Sequence, residues 1–373
     1  MKKKIKLVFF HPYSYLGGAD NSLFRLISNL NLDQFSITFI SLNNSYLKNI
    51  LDRRISFERI KVSRTIFSMI KFRKLIQSYN VNKKYEKVII ISNQNFANII
   101  TFFTTFNIKG IKTILVDRNH IDELNFYNNY KEKLKKILIK FLIKFTYPKA
   151  DLIIGISTKL SRDLSVLTKT KVKTVYSPSF DKSIIKKAKQ NIILSNQYKY
   201  IINVSRFSKR KDHETTLKAF QIVSNKIQKV KLILIGYGPE YKKIISMAKD
   251  LNIYNKMIII NKTYNPYSYI KRSKVLISTS VYEGFPNVLV ESLTIGTPVI
   301  STNMNAGASE ILLNGKGGEL IKIGDYNNLS KKIIFFLNSP KKLLDKTRFA
   351  QKNLNRFNNK IHAKIYSKIF KEI

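Results

Sequence analysis

The sequence predicts an α/β protein of two doubly wound domains, each a parallel sheet with helices on both faces. Three observations predict it. Short β-branched runs alternate with amphipathic segments along almost the whole chain. The runs are near-continuously apolar, as strands buried on both faces are, rather than alternating apolar with polar. The alternation loses definition over a polar, lysine-rich stretch near 177–198 and then restarts, and 373 residues suit two domains of ordinary size.

Strands are expected at 6–10, 36–40, 87–91, 112–116, 152–155 and 173–176 in the first half. In the second half they are expected at 200–204, 231–236, 256–260, 274–278 and 298–300. Helical spacing of apolar residues follows most of them. The expected division is a first domain at 1–178, a linker at 179–197, a second domain at 198–350 and a terminal helical segment at 351–373. Ligands of such sheets bind beyond the carboxyl ends of the strands, so two of them are expected to share a cleft there.

Composition narrows the class. The chain has no cysteine, which excludes a disulfide framework and thiolate metal sites and fits a cytoplasmic location. The opening Met1-Lys-Lys-Lys is followed by an apolar run that a lysine interrupts and His11-Pro12 ends, so it reads as a strand rather than a secretory leader. No stretch approaches the roughly 18 to 20 apolar residues of a spanning helix. The net charge of +44, from 67 Lys+Arg against 23 Asp+Glu, attracts polyanions: nucleic acid, anionic lipid or diphosphates. Lysine, isoleucine and asparagine share AT-rich codons, so genome composition supplies part of it. The lysines run along the whole chain without a nucleic-acid-reading motif, so no specific nucleic-acid partner is expected.

The densest signal follows the strand at 274–278. It reads Thr279-Ser-Val-Tyr-Glu283-Gly284-Phe285-Pro286-Asn287-Val288-Leu-Val-Glu291, then Gly296-Thr-Pro298-Val-Ile300. Gly284 permits a tight turn, and Pro286 suits a first helical position. The N–H groups of Asn287 and Val288 would then be open to an anion. Glu283 and Glu291 flank that site, each able to accept hydrogen bonds from sugar hydroxyls. Taken singly, each reads more readily as a solvated surface residue; the string as a whole reverses that reading.

This string resembles the retaining GT-B glycosyltransferases of family GT4 (group 1), of the type that builds bacterial surface polysaccharides. Other features fall in the family's order: Gly17-Gly18-Ala19-Asp20, Ser205-Arg206-Phe-Ser-Lys-Arg-Lys211, Gly236-Tyr-Gly238-Pro239-Glu240, Asn265-Pro266-Tyr267 and Asn305-Ala-Gly307-Ala-Ser309-Glu310-Ile311. The likeness is dense from about 200 to 325 and thin before that. Asp20 stands where the family often has Glu, and Ser177 where it often has Asn before the proline. The resemblance implies a GT-B architecture of two Rossmann-like domains, the first for the acceptor and the second for the donor, with the last helix crossing back to the first domain.

It also implies a reaction. A sugar would pass from a UDP-sugar to a glycan acceptor, a polyprenyl-diphosphate-linked one as similar bacterial enzymes use, with retention of configuration. Arg206 and Lys211 would meet the donor diphosphate. That placement is sound chemistry, because charge grows on the leaving group as the glycosidic bond breaks. Glu283 would orient the sugar and Glu291 the ribose, while Gly284, Phe285, Pro286, Asn287 and Val288 line the donor. Gly17 and Gly18 would let backbone approach the diphosphate. His120, in Asp117-Arg118-Asn119-His120 at the end of a strand, would hydrogen-bond a sugar hydroxyl. Gly236-Tyr-Gly238 lacks the third glycine of a dinucleotide fingerprint. No two aspartates are separated by one residue and no ligand cluster is visible, so no metal or other cofactor is expected. The rival readings are another GT-B chemistry, an epimerase or a phosphorylase, and a basic nucleic-acid-binding protein.

One segment suggests a membrane partner. In 131–145, Lys133, Lys136, Lys140 and Lys144 recur at helical steps. They make a cationic stripe for an anionic leaflet, and Leu134, Ile137, Leu138, Phe141, Leu142 and Phe145 make an apolar face that reads as that of an interfacial helix or, slightly favoured, of an ordinary helix packed on the sheet. Peripheral attachment to the inner face of the cell membrane is the resulting expectation.

Overall fold

The apolar runs become strands buried on both sides. In the computed structural model all six residues of β1 (Ile5–Phe10) are buried, as are all six of β4 (Val88–Asn93). The structure describes residues 3–14, 17–81, 84–127, 129–261, 263, 265–304 and 306–373; Asn305, in a motif quoted above, lies outside them. The chain divides into two units, one formed by Met1–Pro178 with Asn359–Ile373 and the other by Ser179–Asn358.

The first unit holds a seven-stranded sheet. Its remaining strands are β2 (Phe35–Ser41), β3 (Ser56–Arg59), β5 (Ile111–Asp117), β6 (Leu152–Gly155) and β7 (Lys173–Thr174), in the order β3-β2-β1-β4-β5-β6-β7, every pairing parallel. The helices are α1 (Gly18–Ile27), α2 (Met69–Val81), α3 (Asn95–Thr105), α4 (Tyr130–Thr146) and α5 (Thr158–Thr168). One core layer gathers Val8, Phe10, Ile40, Phe72, Ile90 and Ile100.

The second unit repeats the plan with six parallel strands: β8 (Lys199–Val204), β9 (Val230–Ile235), β10 (Met257–Ile260), β11 (Val275–Ser278), β12 (Val299–Thr302) and β13 (Glu319–Ile321), ordered β10-β9-β8-β11-β12-β13. Its helices are α6 (Ser183–Lys187), α7 (His213–Lys226), α8 (Tyr241–Asp250), α9 (Tyr267–Arg272), α10 (Asn287–Ile295), α11 (Ala308–Ile311), α12 (Tyr326–Asn338) and α13 (Pro340–Lys352). The last helix, α14 (Asn359–Glu372), belongs to the first unit, where Phe370 packs edge-on against Phe35 of β2 at 5.8 Å.

Three departures from the sequence expectation have physical causes. Strands β3 and β13 lie at sheet edges and are four and three residues long, too short for an apolar run to declare them. The stretch 179–197, expected as a linker, is part of the second unit: α6 buries Ile184 and packs against α9 and α10. Its one apolar anchor per turn is hidden among lysines. Finally, α4 is turned the opposite way from expectation. Leu134, Ile137, Leu138, Phe141 and Phe145 are exposed, while Lys136 faces inward and donates to the carbonyls of Glu123 and Phe126.

Candidate active site

In both sheets the strand order reverses beside the first strand of the unit, between β1 and β4 and between β8 and β11. Such a reversal splays the following loops apart and opens a crevice at the carboxyl edge. The residues singled out from the sequence fall on these edges.

In the second unit the loop after β8 ends in Asp212, whose left-handed backbone (φ 45°) turns the chain into α7. Its carboxylate caps the helix, accepting from the Thr215 N–H at 3.2 Å and hydroxyl at 2.6 Å. The loop after β11 lies against it. The Val281 N–H donates to the Arg210 carbonyl at 2.8 Å, and the Thr279 hydroxyl is 2.9 Å from the carbonyls of Lys211 and Asp212. Stitched in this way, the loops bring Lys211 Nζ onto Glu283 Oε1, an ion pair whose side chains are only 15% and 10% exposed. Ser280 Oγ donates to the same oxygen at 3.0 Å.

Glu283 is held ionised. Burial alone would raise the Glu283 carboxyl, but the charges of Lys211 and Arg210 and the hydrogen bonds from Lys211 and Ser280 outweigh it, leaving it below the ordinary range. Burial also lowers Lys211, with Glu283 opposing. The result is an ammonium and a carboxylate fixed in position at the switch point, with Arg210 beside them.

Neighbouring loops fix that shape. Gly238 has φ +150°, and a Cβ there would sit 2.2 Å from the Phe207 carbonyl oxygen; one at Gly236 would meet the Ser205 oxygen at 1.9 Å. These glycines therefore let the loop after β9 lie on the Arg206–Ser208 segment, which is a packing role. Gly307 (φ +82°) does the same for the Phe285–Pro286 turn, where a Cβ would reach Pro286 Cδ at 2.7 Å.

The remaining donor-side residues divide. Phe285 is buried edge-on against Phe357 at 5.2 Å, an anchor beneath the turn. Pro286 precedes α10 instead of opening it, and Asn287 is the first helical residue. The Asn287 N–H, expected to be open to an anion, donates to the Phe285 carbonyl at 3.0 Å. Gly284 is buried in the turn, Val288 stands half-buried in the first turn of α10, and Glu291 is buried one turn in. Arg206 is exposed at the start of the β8 loop.

In the first unit Gly17 and Gly18 open α1, both exposed. The Gly17 N–H donates to Asp20 Oδ2 at 2.9 Å, and Asp20 Oδ1 lies 3.1 Å from His11 Nε2. Burial works to raise Asp20, yet the hydrogen bonds from His11, Gly17 and Ser14, with the charge of His11, hold it below its usual value. His120 stands beyond β5 but is 1% exposed. Its Nε2 is 2.9 Å from Asp163 Oδ2 and its Nδ1 3.2 Å from the Asp122 amide nitrogen. Both ring nitrogens are thus engaged inside the first unit, which differs from a ring held open for a sugar hydroxyl. The sequence-based reading missed Arg210, Ser280, the His11–Asp20 pair and Asp163. Arg210 and Asp163 acquire their partners across long stretches of chain, whereas His11 and Asp20 meet nine residues apart and Ser280 stands three residues before Glu283. Among the described residues no group of three His, Cys, Asp or Glu side chains is set to hold a metal ion.

Two parallel-sheet α/β units of this order define the GT-B class. The solved structures agree: sucrose-phosphate synthase from Thermosynechococcus elongatus superposes with a TM-score of 0.85 over 99% of both chains at 15% identity. Anabaena HepE in complex with UDP-glucose gives 0.80 over 99% of this chain and 100% of that one, at 19% identity. Residues 185–353, within the second unit, match the family described as "Glycosyl transferases group 1". Among curated relatives, the Campylobacter jejuni N-acetylgalactosamine-N,N'-diacetylbacillosaminyl-diphospho-undecaprenol 4-alpha-N-acetylgalactosaminyltransferase is 26% identical over 95% of this chain and 93% of its own length. A second Campylobacter jejuni enzyme, an alpha-1,4-N-acetyl-D-galactosaminyltransferase acting on a GalNAc-containing diNAcBac-PP-undecaprenol, is 26% identical over 90% and 89%.

Proposed function

We propose that the protein transfers a sugar from a UDP-sugar, with retention of configuration and without a metal ion, to a glycan carried on a polyprenyl diphosphate. The buried Lys211–Glu283 pair at the switch point of the group 1 domain carries this reading. A diphosphate leaving group gains charge in the transition state, and a preorganised ammonium with Arg206 and Arg210 on the same loop answers it where water is scarce. Glu283, kept ionised by that loop, accepts hydrogen bonds from the sugar hydroxyls, and Glu291 those of the ribose. Gly17 and Gly18, without side chains, let the backbone at the start of α1 approach a phosphate closely. His120 acts here by holding the β5–α4 loop through Asp163 and Asp122. The departing phosphate takes the acceptor proton on the face it leaves, so no strong protein base is required.

Acceptor choice is supported by the two Campylobacter relatives, whose names specify undecaprenyl-linked substrates. Such an acceptor is embedded in a membrane, and a net charge of +44 favours an anionic cytoplasmic surface. The test is UDP release and glycolipid formation from a panel of UDP-sugars with lipid-linked acceptors, in EDTA and in manganese. Transfer that survives EDTA and needs the lipid-linked acceptor supports the reading. Activity only with manganese, or sugar isomerisation without transfer, overturns it.

A further inference from the structure

We infer that α4 is an interfacial helix whose Leu/Ile/Phe stripe inserts into an anionic lipid surface. On a helical projection Tyr130, Leu134, Ile137, Leu138, Phe141 and Phe145 recur at steps of three and four, forming one face. That face points to solvent: Tyr130 is 70% exposed, and the other five are between 46% and 63% exposed. An ordinary sheet-packing helix buries these residues. Here the inner side, toward α3 and α5, is taken by Ile143 and Thr146, which are buried, and by lysines with local partners. Lys136 donates to the Glu123 and Phe126 carbonyls and pairs with Glu132 at 3.2 Å, and Lys140 donates to Asn125 Oδ1 at 2.6 Å. The inward lysines thus hold the loop before α4; on the outward stripe Phe145 meets Phe102 edge-on at 6.4 Å and Lys149 at 3.5 Å, and the other side chains face solvent.

Charge selects the occupant. Lys131 and Lys135 flank the stripe on one side and Lys133 and Lys144 on the other, all four exposed. An apolar stripe between two cationic rims is the arrangement that sinks to the headgroup boundary with its ammonium groups on lipid phosphates. A second copy of the chain would bring like-charged rims together around the same stripe, on a molecule already at +44. The helix has 17 residues and is flanked by charge, and no described helix is long and apolar enough to cross a membrane. It therefore lies on the surface.

The experiment is flotation of the full chain with phosphatidylglycerol/phosphatidylcholine vesicles and with phosphatidylcholine vesicles alone, across a salt series. Wild type should bind the anionic vesicles and lose binding as salt rises. Leu138→Glu with Phe141→Glu should weaken binding by about tenfold or more, and Lys131→Gln with Lys133→Gln, Lys135→Gln and Lys144→Gln should do so at low salt. Val166→Glu, an exposed apolar position on α5, should change nothing. Far-UV circular dichroism and UDP release by donor hydrolysis, read on each variant, separate this inference from the catalytic one, because neither should move. Anionic-vesicle binding unchanged in Leu138→Glu/Phe141→Glu overturns the inference. So does a wild-type dimer that ignores vesicles and becomes monomeric in that variant.

Discussion

The two units share one strand order and differ in what they do with it. At the carboxyl edge of the second, Arg206, Arg210 and Lys211 gather on one loop, with Glu283 as counter-charge to Lys211 and Arg210. At the same edge of the first, the ionisable groups pair among themselves: His11 with Asp20, and His120 with Asp163. Arg118, buried between Asn93 of β4 and Ser22 of α1, ties the edge together instead of presenting charge. The outer faces differ as well. The second unit exposes large apolar side chains singly, at positions such as Ile193, Tyr254 and Phe335, whereas the first presents a continuous stripe on α4. A topology supplies a place for chemistry, and loops and outer helix faces decide what happens there.

The largest expected effect breaks the cationic edge of the second unit. Lys211→Ala and Glu283→Gln should each lower kcat by about 100- to 1,000-fold, about 3 to 4 kcal/mol of transition-state stabilisation. UDP affinity by calorimetry should change far less. Glu283→Gln also leaves Lys211 buried without a counter-charge, so thermal stability should fall too. Full kcat in either variant would remove the pair from the catalytic account.

Asp117 sharpens the contrast from the other side. Burial pushes its carboxyl up to about 7, with Glu123 adding to the rise and a hydrogen bond with Tyr147 opposing it. The folded pKa lies above the unfolded value of 3.8, so the folded chain holds this proton more tightly. This contribution to stability is complete below about pH 4 and is lost as pH rises to about 7, a change on the order of 4 kcal/mol. Urea midpoints at pH 5 and pH 8 should differ less in Asp117→Asn than in wild type. An unaltered pH dependence would mean that this carboxylate ionises without cost.

Gly238→Ala tests whether the loop after β9 shapes the donor loop. The new Cβ meets the Phe207 carbonyl at a positive φ, so a loss of about 2 kcal/mol is expected, together with a raised KM for the UDP-sugar. Wild-type stability and KM would show that the loop is not held there. The smallest effect is that of Ser280→Ala, which removes one hydrogen bond to Glu283. A loss of about 1 kcal/mol, read as a severalfold fall in kcat with KM little changed, is expected; a change confined to KM would put Ser280 on binding instead.

The sequence by itself determined the longer strands and the Glu283–Glu291 motif. Runs such as Leu7–Phe10 and Val88–Ile91 are apolar on consecutive residues, short and β-branched, as strands covered on both faces are. Glu283 and Glu291 were legible because a turn and a helix fix their separation along one stretch of chain. What tertiary structure alone decided depends on partners distant in sequence. Glu283 meets Lys211 across 72 residues and His120 meets Asp163 across 43, and no spacing rule anticipates either. The orientation of α4 belongs here too. Its periodicity shows that one face is apolar and the other charged, but periodicity is blind to which face meets the sheet. That choice was made by Glu123, Asn125 and Phe126, whose oxygens give Lys136 and Lys140 partners on the inner side and so leave the apolar stripe in solvent.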